Sequence, residues 1–598
     1  MKYKNLAEMF FSKRQEMPDK TGYSYKSGGE WREVTFREAV DKAEKIAAGL
    51  ASLGIAKGDK VGIMAPNGVD WALSDYAVQS LGAMLAPIYP SLLSEQAAYI
   101  LNDSDAKAVL AGDEMLLDKI EAARGDLKTV KNFFVFAPPS GGLKDPWKSQ
   151  DDLIKTGEEF LAKDKDFVQN SIQKVETDDW ATLIYTSGTT GEPKGAILTH
   201  RNFLSNVEAA SSVIDVYSED DFLSFLPLSH VFERMAGHYL SCYHGAKVAY
   251  AESVDTVAEN MGEIKPTLMV SVPRLYEKIY SKVLDSVESG SPVKRKIFYW
   301  ALKVGGEYVS CIMNKKPISG ALKFKRNLAY KLVFSKLAER VGGKLRFFVS
   351  GGAPLPKEIG EFFGAAGMII LEGYGLTETS PVISVNLLDN FKFGSVGPIL
   401  PGVEVKIAED GEILSRGEHI MVGYFKKEAE TKEAIDEDGW FHTGDIGLID
   451  EDGFLKITDR KKNIIVTSGG KNIAPQPVEN KLVTSIYIEQ AVVIGDKRKF
   501  CTAVIVPSEE AFAKWAEEND KAGMSFADLI KTEEVKSLIR AEVDKVSENL
   551  ARYETIKDFT LIPDQFTIES GELTPSLKVK RNVVEQNYAP LIEKMYDV

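Results

Sequence analysis

The part of the sequence best suited to chemistry is a loop rich in glycine and hydroxyl side chains at residues 186–195. It follows an apolar strand candidate and ends in a proline, a lysine and a glycine. Glycines let backbone N–H groups turn towards an anion, hydroxyls add donors, and a lysine supplies a point charge suited to phosphate. The candidate phosphate-binding residues are Thr186, Ser187, Gly188, Thr189, Thr190, Gly191 and Lys194. The alternative interpretation is a flexible surface loop.

The loop differs from a Walker A motif. That motif places a hydroxyl residue directly after its lysine to hold magnesium, whereas Gly195 follows Lys194 here. A nucleotide bound by this loop is therefore held in a different way.

The sequence Tyr-Thr-Ser-Gly-Thr-Thr-Gly-x-Pro-Lys-Gly at residues 185–195 resembles the signature of the adenylate-forming enzymes. These comprise acyl-CoA synthetases, the adenylation domains of peptide synthetases, and luciferases. Further segments resemble the family's motifs in the family's order, namely residues 350–355, 371–379, 440–445, 459–463 and 573–581. The resemblance covers roughly residues 30–590 and implies that ATP and AMP are ligands.

The resemblance implies a nucleotide site built from several segments. In it, Tyr374 would stack on adenine, Asp445 and Arg460 would hold the ribose, and Thr377 would contact the α-phosphate. A carboxylate that accepts hydrogen bonds from two vicinal hydroxyls makes charge-assisted bonds. Besides the loop, the implied ATP/AMP-binding residues are Gly351, Gly352, Ala353, Pro354, Glu372, Gly373, Tyr374, Gly375, Thr377, Asp445, Arg460 and Lys578.

The resemblance also implies Mg²⁺ as a cofactor, with Glu378 and Thr186 as its ligands. Mg²⁺ is commonly bound by one or two carboxylates together with substrate phosphates. The implied catalytic residues are Lys578, Lys194, Thr377 and Glu378. Family members often have glycine before the catalytic lysine, whereas Leu577 stands here, so Lys580 stays open as the alternative to Lys578.

Two half-reactions follow from the resemblance. A carboxylate attacks the α-phosphorus of ATP to give an acyl-adenylate and pyrophosphate, and the thiol of CoA then takes the acyl group and releases AMP. Residues 1–460 would form the N-terminal AMP-binding and acyl-binding domain, and residues 461–598 a mobile C-terminal domain that turns about Lys462. Ser468, Gly469 and Gly470 would then move in around the pantetheine arm of CoA.

Residues 225–234 resemble the acyl-pocket segment of long-chain fatty acyl-CoA synthetases. The implied acyl-substrate residues are His230, Val231 and Gly351, with His230 close to the reacting carboxylate. The sequence offers no evident acidic anchor for an amino group, which disfavours amino-acid substrates. Two alternatives stay open: a fatty acyl-AMP ligase that loads a carrier protein, and a non-catalytic acyl- or nucleotide-binding protein.

The elements that would position these residues follow an α/β pattern. Strand candidates alternate with helices up to about residue 390, which predicts a large domain of mixed or parallel sheets flanked by helices. The first long helix is predicted over residues 33–55, with a capping box formed by Thr35 and Glu38. Short segments separated by Asp-Gly turns predict an antiparallel, barrel-like subdomain at residues 394–460. The remainder predicts a small α/β domain.

Composition excludes several classes of protein. The chain has 598 residues, a net charge of −15 and three widely spaced cysteines. An acidic total disfavours a dedicated nucleic-acid binder, and three distant cysteines cannot build a disulfide framework. No apolar run approaches the ~20 residues that span a bilayer. We therefore expect a cytoplasmic protein.

One segment departs from the acidic total. Residues 294–346 contain 14 Lys/Arg against two Glu, interleaved with aromatic and aliphatic side chains. This pattern is compatible with peripheral binding to an anionic membrane, at its inner face, and equally with a solvated helical hairpin. The sequence leaves the oligomeric state open, a homodimer included.

Overall fold

In the computed structural model the first long helix begins where the sequence predicts. Thr35 Oγ1 accepts the backbone N–H of Glu38, and the Glu38 carboxylate accepts that of Thr35, which completes the capping box. The helix spans Phe36–Ser52, shorter than the predicted 33–55 because strand pairing continues through Thr35. The structure describes residues 1–186, 192–548, 550–574 and 578–597.

The secondary structure alternates along the chain. The strands are β1 (Thr21–Ser27), β2 (Glu30–Thr35), β3 (Lys60–Met64), β4 (Met84–Ile88), β5 (Ala106–Ala111), β6 (Asn132–Val135), β7 (Trp147–Ser149), β8 (Trp180–Thr186), β9 (Lys194–Thr199), β10 (Asp221–Ser224), β11 (Lys247–Tyr250), β12 (Leu268–Ser271), β13 (Phe347–Ser350), β14 (Ile369–Gly375), β15 (Val382–Val385), β16 (Glu404–Ile407), β17 (Glu412–Arg416), β18 (Gly423–Tyr424), β19 (Phe441–Ile449), β20 (Leu455–Arg460), β21 (Ile465–Val466), β22 (Asn472–Ile473), β23 (Ile488–Ile494), β24 (Cys501–Pro507) and β25 (Ile556–Leu561).

Helices fill the connections. They are α1 (Leu6–Phe11), α2 (Lys13–Glu16), α3 (Phe36–Ser52), α4 (Val69–Ser80), α5 (Ser94–Asp103), α6 (Glu114–Ala122), α7 (Gln150–Leu161), α8 (Phe167–Lys174), α9 (His200–Ser211), α10 (Leu240–His244), α11 (Val257–Ile264), α12 (Pro273–Glu288), α13 (Pro292–Met313), α14 (Gly320–Ala329), α15 (Ser335–Arg340), α16 (Lys357–Ala366), α17 (Glu428–Ala434), α18 (Pro475–Leu482), α19 (Glu509–Glu518), α20 (Phe526–Leu529), α21 (Glu533–Ser547), α22 (Arg581–Asn587) and α23 (Ala589–Lys594).

Two eight-stranded sheets form the large N-terminal body. Sheet A has the order β15-β14-β13-β12-β10-β11-β1-β2, and sheet B the order β18-β9-β8-β4-β3-β5-β6-β7. Their central strands are parallel, as predicted, and antiparallel pairs occur towards the edges. One core cluster contains side chains from both sheets, such as Val61 of β3 and Val248 of β11. The two sheets therefore share a core, and functional loops gather where their strands end.

The predicted barrel-like region is a four-stranded antiparallel sheet in the order β16-β17-β19-β20. After Arg460, a short 3₁₀ turn leads to a separate small sheet, β23-β24-β25, with its own buried clusters. The end of β20 therefore leads directly into the C-terminal region.

The basic segment is helical. It forms α13, α14, a π-helical turn at Tyr330–Phe334, and α15. Of the helices in the described ranges, none has the length and apolar character needed to cross a membrane.

Candidate active site

A single large cavity brings the predicted residues together. It measures about 2320 Å³ and is lined from both the N-terminal body and the C-terminal region. The predicted residues that line it are Thr186, Lys194, His230, Val231, Gly351, Gly352, Ala353, Pro354, Glu372, Gly373, Tyr374, Gly375, Thr377, Glu378, Asp445, Arg460, Lys462 and Lys578. Residues 187–191 of the phosphate loop lie outside the described residues.

The phosphate loop connects two antiparallel strands of sheet B. Thr186 of β8 pairs directly with Lys194 of β9, so both ends of the loop are fixed by backbone hydrogen bonds. The ammonium of Lys194 lies 5.2 Å from the ring centre of Tyr424. The hydroxyl of Tyr424 donates to Glu378 Oε1 over 2.9 Å. The loop lysine and the predicted metal-binding carboxylate therefore meet at one aromatic ring.

Sequence reasoning missed Tyr424. The residue reaches the site because β18 pairs antiparallel with β9, which places Tyr424 opposite Ala196. A two-residue strand with a partner more than 200 positions away has no periodicity that would reveal it.

The predicted ribose site lies on paired strands. Asp445 of β19 stands opposite Arg460 of β20, and Arg460 Nε lies 3.2 Å from Asp445 Oδ1. The hydroxyl of Tyr374 donates to Asp445 Oδ2 over 2.8 Å. Asp445 is only 4% exposed. Its charge is therefore stabilised by a cation and a hydroxyl in a largely desolvated position.

The backbone is closely packed at the end of β14, next to Tyr374. A Cβ on Gly375 would come within 1.7 Å of the carbonyl oxygen of Pro381, so only glycine is accommodated. Nearby, Glu372 accepts the backbone N–H of Leu355 over 3.0 Å, which links β14 to the loop after β13. Burial raises the pKa of Glu372 to about 8.

Lys578 lines the cavity from the C-terminal region. Its backbone N–H donates to Thr574 Oγ1 over 3.0 Å, and Leu573 pairs with Val579. Burial and then the charge of Arg460 lower the pKa of Lys578, whereas Asp445 and Glu378 raise it, and the resulting pKa is about 8. Lys578 therefore shares the cavity lining with Arg460, Asp445 and Glu378, the residues predicted for the ribose and the metal.

The cavity lining also includes the neutral imidazole of His230. Burial, and then the charge of Lys578, lowers the pKa of His230 to about 3. Its Nδ1 accepts the backbone N–H of Phe232 over 3.2 Å, so the ring proton belongs on Nε2. A Cβ on Gly351 would lie 2.9 Å from the Phe232 ring, so this glycine allows the ring to lie close to the backbone.

Part of the cavity lining is apolar, and we call this part the apolar limb. Its walls come from sheet A, α9 and the segment around the π-helix at Glu233–Tyr239. The apolar residues of this limb are Ala210, Ile214, Val216, Phe222, Met235, Ala236, Leu240, Leu268, Val270 and Val349.

A buried ion pair fixes the wall of the apolar limb. Arg234 bonds Asp75 through two nitrogens, and it donates to Thr182 Oγ1 over 2.8 Å. The hydroxyl of Tyr239 donates to Asp75 Oδ2 over 2.7 Å. Burial opposes the charge of Asp75, yet the Arg234 guanidinium holds the pKa of that carboxyl at about 2. The predicted acyl-pocket segment thus contributes an arginine that supports the wall from behind.

The residues predicted to approach CoA do not line the cavity. Ser468, Gly469 and Gly470 are outside the cavity lining. The backbone N–H of Ser468 donates to the Arg498 carbonyl over 2.8 Å, within the C-terminal domain. Lys462 lies at the cavity edge beside Lys461, which binds Asp410 over 2.6 Å. Lys578 therefore occupies the cavity while the glycine loop stays outside it.

Comparison with known families agrees with this geometry. Residues 10–425 match the family described as AMP-binding enzyme, and residues 462–598 match the AMP-binding enzyme C-terminal domain. The chain belongs to the AMP-binding enzyme family. This AMP-binding enzyme is 36% identical over 597 residues to the long-chain-fatty-acid–CoA ligase FadD15 of Mycobacterium bovis, covering 99% of this chain and 97% of the relative.

A second relative is also named as a long-chain acyl-CoA synthetase. The peroxisomal long chain acyl-CoA synthetase 6 of Arabidopsis thaliana is 33% identical, with 95% of this chain and 82% of the relative covered. The predicted membership of the long-chain acyl-CoA synthetase group of adenylate-forming enzymes is therefore confirmed, and this AMP-binding enzyme is an acyl-CoA synthetase.

Solved structures confirm the predicted fold class. The anthranilate CoA ligase AuaEII, in complex with anthranoyl-AMP, superposes with a TM-score of 0.75 at 20% identity, covering 99% of this chain and 98% of that one. The adenylation domain of a carboxylate reductase from Mycobacterium chelonae gives a TM-score of 0.77 at 22% identity, with 99% and 91% covered.

Proposed function

We propose that this enzyme activates a long-chain fatty acid with ATP and transfers the acyl group from the adenylate to CoA, with release of AMP and pyrophosphate. One observation carries the proposal: a single cavity is lined by the polar residues predicted for the nucleotide and by the residues of the apolar limb, and His230 and Lys578 both line it. A carboxylate bound there points its chain into the apolar limb and its oxygens towards the nucleotide. The curated relatives named as long-chain fatty acid ligases support the same substrate class.

Adenylate formation needs no nucleophile from the protein. The substrate carboxylate attacks the α-phosphorus directly, and the enzyme contributes positioning and charge stabilisation. Lys578 and Lys194 supply positive charge from two sides, and Thr377 lines the cavity beside them. Neutral His230 offers an Nε2–H donor to the substrate carboxylate without adding a buried charge. Asp445, with Arg460, takes the ribose, and Tyr374 provides a ring face for the adenine.

The residues present fit a magnesium ion that arrives with ATP. Within the described ranges, no cluster of three His, Cys, Asp or Glu side chains could hold a metal by itself. Glu378 presents one carboxylate, held through Oε1 by Tyr424, and Thr186 presents a hydroxyl at the end of β8. Such a partial set suits Mg²⁺, because substrate phosphates and water complete its shell. When bound, the ion neutralises phosphate charge.

We propose that the thioester step requires the C-terminal domain, residues 461–598, to turn about Lys462 relative to residues 1–460. Lys578 would leave the cavity, and Ser468, Gly469 and Gly470 would approach for CoA. We expect Lys578→Ala to slow adenylate formation strongly and to leave thioester formation from supplied acyl-adenylate nearly unchanged. Equal losses in both half-reactions would contradict this division of roles.

The substrate and acceptor are tested with a panel of carboxylic acids. AMP release is measured with ATP and Mg²⁺, with and without CoA, for acids from acetate to stearate. Long-chain acids should give CoA-dependent AMP release. Adenylate that accumulates and is transferred only to a carrier protein would favour the acyl-AMP ligase alternative, and no pyrophosphate exchange with any acid would favour a non-catalytic binding protein.

We also propose that α14 and the turn after it dock the enzyme on the anionic inner leaflet of a membrane, where its substrate partitions. Phe324 is 71% exposed, and Leu328 and Leu332 are exposed at four-residue spacing on the same helical run. Exposed lysines flank this apolar stripe, namely Lys323, Lys325 and Lys331. Apolar side chains bounded by cations suit the interface of an anionic bilayer.

Vesicle co-sedimentation tests the docking surface. Lys323, Lys325 and Lys331 changed together to Glu should abolish binding to vesicles containing phosphatidylglycerol, and wild-type binding should weaken with salt because exposed charges are screened. The matched control changes three exposed lysines of another surface to Glu, namely Lys128, Lys163 and Lys165. Two results would contradict the proposal. One is equal vesicle binding by the two triple variants, and the other is wild-type binding to neutral vesicles that equals its binding to anionic vesicles.

A further inference from the structure

Helix α12 carries an ion pair to the C-terminal domain at each of its ends. At its first turn, the Arg274 guanidinium binds the carboxylate of Glu489, and Arg274 Nη1 also donates to the Glu489 carbonyl oxygen over 3.2 Å. Near its last turn, Asp285 binds Lys514 of α19. We call these four residues the α12 clasp.

The geometry of α12 suits a clasp that fixes orientation. Arg274 and Asp285 are eleven residues apart on one helix, which is about three turns and about 16 Å, so both side chains leave from the same face. The helix is anchored in the N-terminal body by Tyr276, which is fully buried and donates to the Val349 carbonyl over 3.3 Å. Two attachments this far apart resist rotation, whereas a single one would serve as a pivot.

The clasp is closed in the arrangement that places Lys578 in the cavity. Lys578 lines the cavity there together with Arg460, Asp445 and Glu378. Asp285 and Lys514 are outside the cavity lining, so they do not touch a substrate bound there. A rotation about Lys462 that removes Lys578 also carries Glu489 and Lys514 away from α12.

We propose that the α12 clasp holds the C-terminal domain in the adenylate-forming orientation and must open before the thioester-forming half-reaction. The proposal rests on the proposed function, in which the two half-reactions use different orientations of this domain. Asp285 and Lys514 are positioning residues, because they lie outside the cavity lining and act through Lys578. The side chains of Lys514 and Asp285 are 46% and 33% exposed, so their pair is weak enough to open in each catalytic cycle.

The clasp shifts an equilibrium between two orientations, so the ratio of the two half-reaction rates reports on it directly. The first rate is pyrophosphate release from ATP and a fatty acid without CoA, in a single turnover. The second is thioester formation from supplied acyl-adenylate and CoA. In Asp285→Lys and in Lys514→Asp, the ratio of the second rate to the first should rise about five-fold, as expected for loss of an exposed ion pair plus repulsion.

The charge swap that combines Asp285→Lys with Lys514→Asp should return the ratio to within about two-fold of the wild type. The matched control is Lys521→Glu, which breaks a partly exposed ion pair with Glu534 inside the C-terminal domain. The control should leave the ratio unchanged. A parallel loss of both half-reactions, an unchanged ratio in the single variants, or no recovery in the swap would overturn the clasp.

A distance measurement keeps this test separate from the proposed function. Spin labels at Leu93→Cys and Met524→Cys, in a Cys311→Ser background, lie on exposed sites of the two domains. Asp285→Lys should broaden or shift the interdomain distance distribution, and the charge swap should restore it. A wild type that makes no adenylate refutes the proposed function alone, whereas an unchanged distribution in Asp285→Lys refutes the clasp alone.

Discussion

Replacing Asp445 with asparagine tests the assignment of the ribose site. The buried carboxylate accepts a hydrogen bond from the Tyr374 hydroxyl and pairs with Arg460 Nε, and by the resemblance it would take the two ribose hydroxyls of ATP. Hydrogen bonds to a charged group contribute about 1.5–3 kcal/mol each, and an amide of the same size retains part of them. We therefore expect a loss of about 2 kcal/mol, which raises the KM for ATP about 30-fold.

The assay compares ATP with 2′-deoxy-ATP in pyrophosphate exchange. The wild type should prefer ATP, and Asp445→Asn should lose most of that preference, because the analogue lacks one of the groups that Asp445 binds. Asp450→Asn is the matched control, since it removes an ion pair with Lys392 at the other end of the same strand pair. Asp445→Asn that still prefers ATP as strongly as the wild type would refute the ribose assignment.

Three further substitutions test other parts of the structure. Tyr424→Phe removes the donor to Glu378 and should raise the Mg²⁺ concentration for half-maximal ATP binding about ten-fold, measured by calorimetry; unchanged Mg²⁺ dependence would exclude this role. Asp75→Asn leaves Arg234 as a buried unpaired charge, so unfolding should cost about 3–5 kcal/mol less, and an unaltered melting temperature would contradict this. Ala236→Trp fills the apolar limb and should shift the preferred acid to shorter chains at unchanged KM for ATP; retained palmitate activity would exclude that limb as the acyl site.

The local parts of the fold could be predicted from the sequence because their signals are local. The Thr35 capping box, the Asp-Gly turns and the alternation of strands and helices each depend on residues a few positions apart. The predicted helix 33–55 was too long at both ends, because the pairing of β2 with β1 includes Thr35 and the helix closes at Leu53. Neither the strand pairing nor the end of the helix can be recognised from the hydrophobic periodicity of the sequence.

The site residues could be predicted only where they belong to a recognisable sequence motif. Tyr424 lies between Lys194 and Glu378 because two distant strands pair. Arg234 points away from the apolar limb because Asp75 and Thr182 bind it. Both placements depend on tertiary contacts over more than 45 positions, so a motif read along the chain does not contain them. The remoteness of the glycine loop, residues 468–470, likewise depends on the orientation of a whole domain.

The central claim is that one cavity couples ATP cleavage to acyl transfer from a long-chain acid. The most direct measurement incubates the purified enzyme with palmitate, ATP, Mg²⁺ and CoA and quantifies AMP, pyrophosphate and palmitoyl-CoA in the same samples. We expect equal amounts of the three products, with none formed when palmitate is omitted. ADP in place of AMP, or AMP formed without thioester in the presence of CoA, would contradict it.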